Sequence, residues 1–120
     1  MTHRTGAGMI GDAKRQIEEV TPEQVRDMQA RGEHVVYLDV REPNEWNLGR
    51  LPHAVHLPRG NLETKIEGLI ERDQKVVIYC ARGNRSALAA LTMKQMGYEN
   101  VASMSRGFLG WADIGGEIEG

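Results

Sequence analysis

Apolar residues recur along this chain in two rhythms that take turns. Ile10, Ala13 and Ile17 stand at helical spacing and predict a short amphipathic helix. Thr21-Pro22-Glu23-Gln24 then reads as a helix start: Thr21 caps, Pro22 takes the first helical position, and Gln24 stands where a capping box requires it. Val25 and Met28 give that helix a narrow apolar face and Gly32 closes it. His34 to Val40 is apolar on both parities, the mark of a strand buried on both faces. Pro43 to Leu48 predicts one helical turn stopped by Gly49, and Ala54 to Leu57 a short strand between two prolines. Leu62, Ile66, Leu69 and Ile70 follow the spacing of a helix packed on a sheet. Val76 to Tyr79 is a second buried strand. Ser86 to Met96 is an alanine-rich helix with Leu88, Leu91 and Met96 as its expected core contacts and Gly97 as its stop. Val101 to Met104 is a last strand, and Gly107 to Ile114 a last helix or turn. Strands alternating with helices define an α/β fold with a mainly parallel sheet.

Composition narrows this picture. A chain of 120 residues makes one domain, with no repeat or linker to divide it. Residues 1–8 are expected to be a flexible leader and 9–120 the domain. The 15 basic and 17 acidic residues leave a net charge of -2, so neither a nucleic-acid partner nor an acidic tail is expected. A single cysteine excludes an internal disulfide and any multi-cysteine metal cluster. No apolar run is long enough to span a bilayer, so no membrane role is expected. With no secretory signal and one free thiol, the expected location is the cytoplasm, and the expected state is a monomer.

The chemistry gathers at the end of the second buried strand. Cys80-Ala81-Arg82-Gly83-Asn84-Arg85 joins strand to helix at the sheet's carboxyl edge, where open α/β sheets bind ligands. Three features favour a thiolate on Cys80: the free amides of the helix start, the positive end of its dipole, and the charges of Arg82 and Arg85. Gly83 lets the backbone turn so that amides face inward. Cys80 read as a merely buried apolar residue fits these neighbours poorly. A Cys-x5-Arg loop cradles a tetrahedral oxyanion in phosphatases; here Arg85 comes one residue sooner, and the smaller ring suits a smaller guest, such as one sulfur atom.

Four stretches in order carry a resemblance: Leu38-Asp39-Val40-Arg41-Glu42-Pro43-Asn44-Glu45-Trp46 with Gly49 to Pro58, Val77 to Ala87 around Cys80, Met96 to Val101, and Gly107-Phe108-Leu109-Gly110-Trp111. Together they span roughly residues 17 to 117, and the chain resembles a single-domain rhodanese, a sulfurtransferase of the kind that accepts thiosulfate. The resemblance implies a single rhodanese-like domain: a five-stranded, mainly parallel sheet flanked by helices on both faces, with Ile17 to Val20 as the first strand. It implies that Cys80 takes sulfur from an anionic donor as a persulfide and passes it to cyanide or a thiol. The amides of Ala81, Arg82, Gly83, Asn84, Arg85 and Ser86 would hold that sulfur, and Arg82 and Arg85 would bind the donor. Asp39 would orient the surroundings and Arg41 add to the donor field. No metal or organic cofactor is implied.

Alternatives stay open at this stage. Asp39 reads equally as a cap after its strand, and Arg41 as a solvated surface ion. A persulfide relay loaded by a protein partner would carry the same loop; a thiolate phosphatase or arsenate reductase fits the short loop less well. His3, His34, His53 and His56 do not form a metal set, Trp46, Phe108 and Trp111 read as packing, and Glu42 and Glu45 as first-turn charges of a helix. Where family members often carry His-x-Pro-Gly-Ala, this chain has Arg50-Leu51-Pro52-His53-Ala54, which puts the local turn geometry in question.

Overall fold

The computed structural model describes residues 3–120. Thr5 caps the first helix, α1 (Gly6–Gln16), so helical structure begins inside the segment expected to be a leader; Met1 and Thr2 of that segment lie outside the described residues. Ile17 ends α1 in an extended conformation and hands the chain to β1 (Glu18–Val20). The capping box of α2 (Pro22–Ala30) forms as expected: Thr21 Oγ1 accepts from the Gln24 amide at 3.1 Å, and Gln24 Oε1 accepts from the Thr21 amide at 2.8 Å. β2 (Val36–Asp39), α3 (Pro43–Asn47) and β3 (Val55–His56) follow, then α4 (Leu62–Lys65), β4 (Val76–Tyr79), α5 (Asn84–Gln95), β5 (Val101–Met104) and α6 (Gly107–Asp113).

The five strands form one sheet in the order β1-β5-β4-β2-β3, and every pairing between them is parallel. Side chains of the central strands alternate between two cores. Leu38, Val40, Ile78 and Cys80 face Leu62, Ile66, Ala89, Ala90 and Met93. Tyr37, Val77 and Tyr79 face Val25, Met28 and Trp111. Helices therefore cover both faces of the sheet, and the central strands are apolar on both parities for that reason. No helix among the described residues is long and apolar enough to cross a membrane.

Two expectations about the core are corrected. The segment after Leu62 is not one helix: α4 gives way to a 3-10 turn at Ile66–Gly68, which buries Leu62, Ile66 and Ile70 and leaves Leu69 exposed. On α5 the buried face is Ser86, Ala87, Ala89, Ala90 and Met93, while Leu88 and Leu91 are only half-buried. Small side chains let that helix approach sheet and α1 closely, so size matters here more than hydrophobicity. The substituted turn also has a physical cost: His53 sits at φ 62, the left-handed region where the family's usual glycine carries no penalty.

Candidate active site

β4 is the central strand, and its successor β5 lies on one side of it while β2 and β3 lie on the other. The crevice between the ends of β4 and β2 is thus a topological switch point, where α/β sheets open to ligands. Cys80 follows β4 at this point. By strand alternation its side chain falls on the α5 side, and the residue is 1% exposed.

The loop from Cys80 to Ser86 wraps its own first residue. Gly83, the N-cap of α5, holds φ 95, and its amide donates to Cys80 Sγ at 3.1 Å. The Ser86 amide donates to the same sulfur at 3.3 Å. It is one of the first helical amides, which have no acceptor within the helix. Ser86 Oγ lies 3.5 Å from Sγ and 2.8 Å from Ser103 Oγ on β5. The two hydroxyls can relay in either direction. A thiol donates to Ser86, and a sulfur anion accepts from it.

The loop is fixed from below by α6. The Phe108 amide donates to the Cys80 carbonyl at 2.8 Å and the Leu109 amide to the Ala81 carbonyl at 3.1 Å. These bonds tie the start of the loop to α6, while the amides of Gly83 and Ser86 further along reach the sulfur. The close approach requires Gly107, at φ 53 and in contact with the Cys80 and Ala81 backbone.

Above the sulfur is a cavity of about 200 Å³ lined by Cys80, Ala81, Arg82, Asn84 and Arg85. Arg82 is exposed and makes no ion pair among the described residues. Arg85 is otherwise engaged: its Nη1 and Nη2 donate to the two carboxylate oxygens of Glu45 at 2.8 and 3.1 Å. The Arg85 hydrogen bonds hold the Glu45 carboxyl down at about 2, and the same bonds raise the Arg85 pKa. Glu45 comes from α3, which follows β2, so this pair bridges the switch-point crevice.

Asp39 and Arg41 are brought to each other instead of to the sulfur. Asp39 lies on the opposite face of the sheet from Cys80, with Tyr37 and Tyr79. It is 0% exposed, and Arg41 is 4% exposed. Asp39 Oδ1 accepts from the Arg41 amide at 2.9 Å and Nε at 3.0 Å, and Oδ2 accepts from Nη2 at 2.7 Å. Nη2 also donates to the Gly49 carbonyl at 2.6 Å, and the guanidinium lies 4.3 Å from the Phe108 ring centre. Burial opposes the Arg41 charge, the Asp39 hydrogen bonds outweigh it, and the Arg41 pKa ends raised. Burial also raises the Tyr79 hydroxyl, and the Asp39 charge adds to that.

Sequence reasoning did not reach Glu45, Ser103 or Gly107 as parts of this site. Glu45 was legible as a helix-start charge, a role it keeps through the Glu42 amide at 2.9 Å. Its second role depends on a partner 40 residues away. Trp46 packs as expected, its ring stacked on His56 with centroids 4.7 Å apart.

Parallel sheet, switch-point loop and amide-held cysteine together define an α/β domain with one thiol at its sheet's carboxyl edge. The sequence matches the Rhodanese-like domain over residues 21–114, and the chain belongs to that family. It is 33% identical over 99 residues to a protein of Allochromatium vinosum named "Sulfurtransferase", covering 82% of this chain and 92% of that one. It is 32% identical over 108 residues to the "Putative sulfur carrier protein YrkF" of Bacillus subtilis; the match takes in 90% of this chain but 58% of YrkF. A solved structure from Rhodopseudomonas palustris superposes with a TM-score of 0.90 at 36% identity, over 99% of this chain and 97% of that one. That protein is described as of unknown function and a possible tyrosine phosphatase.

Proposed function

We propose that the domain is a sulfurtransferase that moves a sulfane sulfur from a small anionic donor, thiosulfate being the simplest, to cyanide or a thiol through a persulfide on Cys80. The observation that carries this reading is the pair of amides, Gly83 and Ser86, aimed at Cys80 Sγ beneath a cavity flanked by guanidinium groups. The Cys80 thiolate attacks the outer sulfur of the donor. A new S–S bond forms, the donor's S–S bond breaks, and its electron pair leaves on sulfite. Cyanide or a thiolate then attacks the terminal sulfur and releases Cys80 as a thiolate. The amides act as a preorganised anion site, costing little reorganisation as charge shifts onto the outer sulfur. Among the named loop residues, Arg82 is the guanidinium free to draw in a donor. The free thiol suits a reducing compartment such as the cytoplasm.

A partner-loaded relay is a second reading, favoured by an exposed apolar side chain on the helix that holds the loop: Leu109, whose amide donates to the Ala81 carbonyl, is 47% exposed. A docked protein would cover it. The resemblance to a possible tyrosine phosphatase favours phosphoryl transfer less, because the loop here is Cys80-x4-Arg85 and its amides close on a single sulfur.

The test is thiocyanate formation from thiosulfate and cyanide, with Cys80→Ser alongside. Turnover in the wild type that vanishes in a folded Cys80→Ser is the expected result. A folded wild type without turnover, which gains one sulfur atom only from a protein donor, selects the relay.

A further inference from the structure

Arg85 faces the sulfur cavity, yet both terminal nitrogens of its fork are taken by one carboxylate. Bidentate pairing of this kind is geometrically specific and strong for an ion pair. Glu45 is also held from behind: the Glu42 amide donates to its Oε1 at 2.9 Å, at the first turn of α3. The carboxylate is therefore fixed on the guanidinium of Arg85, which lines the cavity. An anionic donor that seeks Arg85 must displace it or share the guanidinium with it.

Arg82 and Arg85 supply two positive charges to the cavity lining. Glu45, paired to Arg85, and the reactive form of Cys80 supply one negative charge each, and the Glu42 charge also acts on Arg85. The two arginines are therefore offset by acidic charge before a donor arrives. We propose that Glu45 is the specificity-determining residue of this site, setting it to prefer sulfur donors of the monoanionic thiosulfonate type over the thiosulfate dianion. This rests on Cys80 being the residue that takes the sulfur. In either transfer the donor's S–S bond breaks with its electron pair on the departing sulfite or sulfinate, so the two donors differ mainly in charge. The Arg85 hydrogen bonds that keep the Glu45 carboxyl near 2 keep it ionised throughout the neutral range, so the preference persists there.

The test uses Glu45→Gln, which keeps an oxygen for the Glu42 amide and removes the charge. Cys80 is the one cysteine, so its alkylation reports on this site alone. Iodoacetate and iodoacetamide react through the same step, displacement of iodide by sulfur, and differ by one charge. Glu45→Gln should raise the iodoacetate-to-iodoacetamide rate ratio about tenfold at low salt, as expected for one charge a few ångströms from the reacting atom. The kcat/KM ratio of thiosulfate to methanethiosulfonate should rise by a similar factor, and both shifts should shrink in about 0.5 M salt. An unchanged alkylation ratio overturns the proposal, whatever the turnover. A shifted alkylation ratio with no turnover of either donor keeps the charge filter and overturns sulfur transfer from small donors. If Glu45→Gln does not fold, the wild type decides: its iodoacetate rate should be nearly independent of ionic strength, and a steep fall with added salt overturns the proposal.

Discussion

Gly107 lies so close to Cys80 that a Cβ built on it would stand 2.4 Å from the Cys80 carbonyl oxygen and 2.6 Å from the Ala81 carbonyl carbon. Both obstacles are backbone, so neither can swing away. Gly107→Ala should cost more than about 3 kcal/mol or displace the loop, through overlap and a left-handed φ together. Gly60→Ala, with nothing within 4 Å, is the matched control and should stay within about 0.5 kcal/mol of wild type. Urea unfolding of the two variants checks both values.

His53→Gly should stabilise the protein. The side chain is exposed and the backbone sits at φ 62, so the substitution relieves left-handed strain of about 1–2 kcal/mol. Part of that gain is lost to the greater freedom of glycine in the unfolded chain. A net rise of about 0.5–1 kcal/mol in thermal or urea unfolding, with unchanged Cys80 alkylation, is the expected outcome.

Asp39→Asn leaves the Arg41 guanidinium buried without its counter-ion. Breaking a buried pair in this way costs about 3–5 kcal/mol. Because Asp39 lies on the sheet face opposite Cys80, the folded fraction should react with iodoacetamide at a rate within about twofold of wild type. Denaturant midpoints and alkylation under native conditions separate the stability effect from any direct role at the sulfur.

Stability should also fall in acid through Glu45. Its carboxyl is held at about 2 in the folded state, against an ordinary value of 4.5. A depressed folded-state pKa gives stability that is fully present above the unfolded value and is lost as pH falls toward the folded one. The contribution of the Arg85–Glu45 pair should therefore fade between pH 4.5 and about 2. Urea midpoints near pH 5 and pH 3 should fall less steeply for Glu45→Gln than for the wild type.

Much of the fold was legible because its signals are local. The Thr21 box, the two doubly apolar strands and the glycine stops each declare themselves within a few residues. After Leu62 the spacing is helical, whereas the chain tightens into a 3-10 turn that rotates Leu69 outward. The core face of α5 is built mainly from small residues instead of its large apolar ones, because the close helix–sheet distance is set by tertiary packing. At the site, Cys80 and its loop were legible from strand, glycine and helix start. The Glu45–Arg85 and Ser86–Ser103 pairs were not, since sheet order alone brings those segments together. Asp39 and Arg41 sit at the same sheet edge as Cys80, but strand alternation turns them away from the thiol.

The grip of α6 on the loop has a mechanical consequence. The Phe108 and Leu109 amides cannot exchange with solvent while they hold the Cys80 and Ala81 carbonyls. Their hydrogen–deuterium exchange therefore reports, at two positions, the free energy needed to open the loop. Trp111, 0% exposed on the same helix, anchors that grip in the second core. Motion at the sulfur is thereby tied to unseating a tryptophan, and the cradle should open as a cooperative unit, not as a flexible loop.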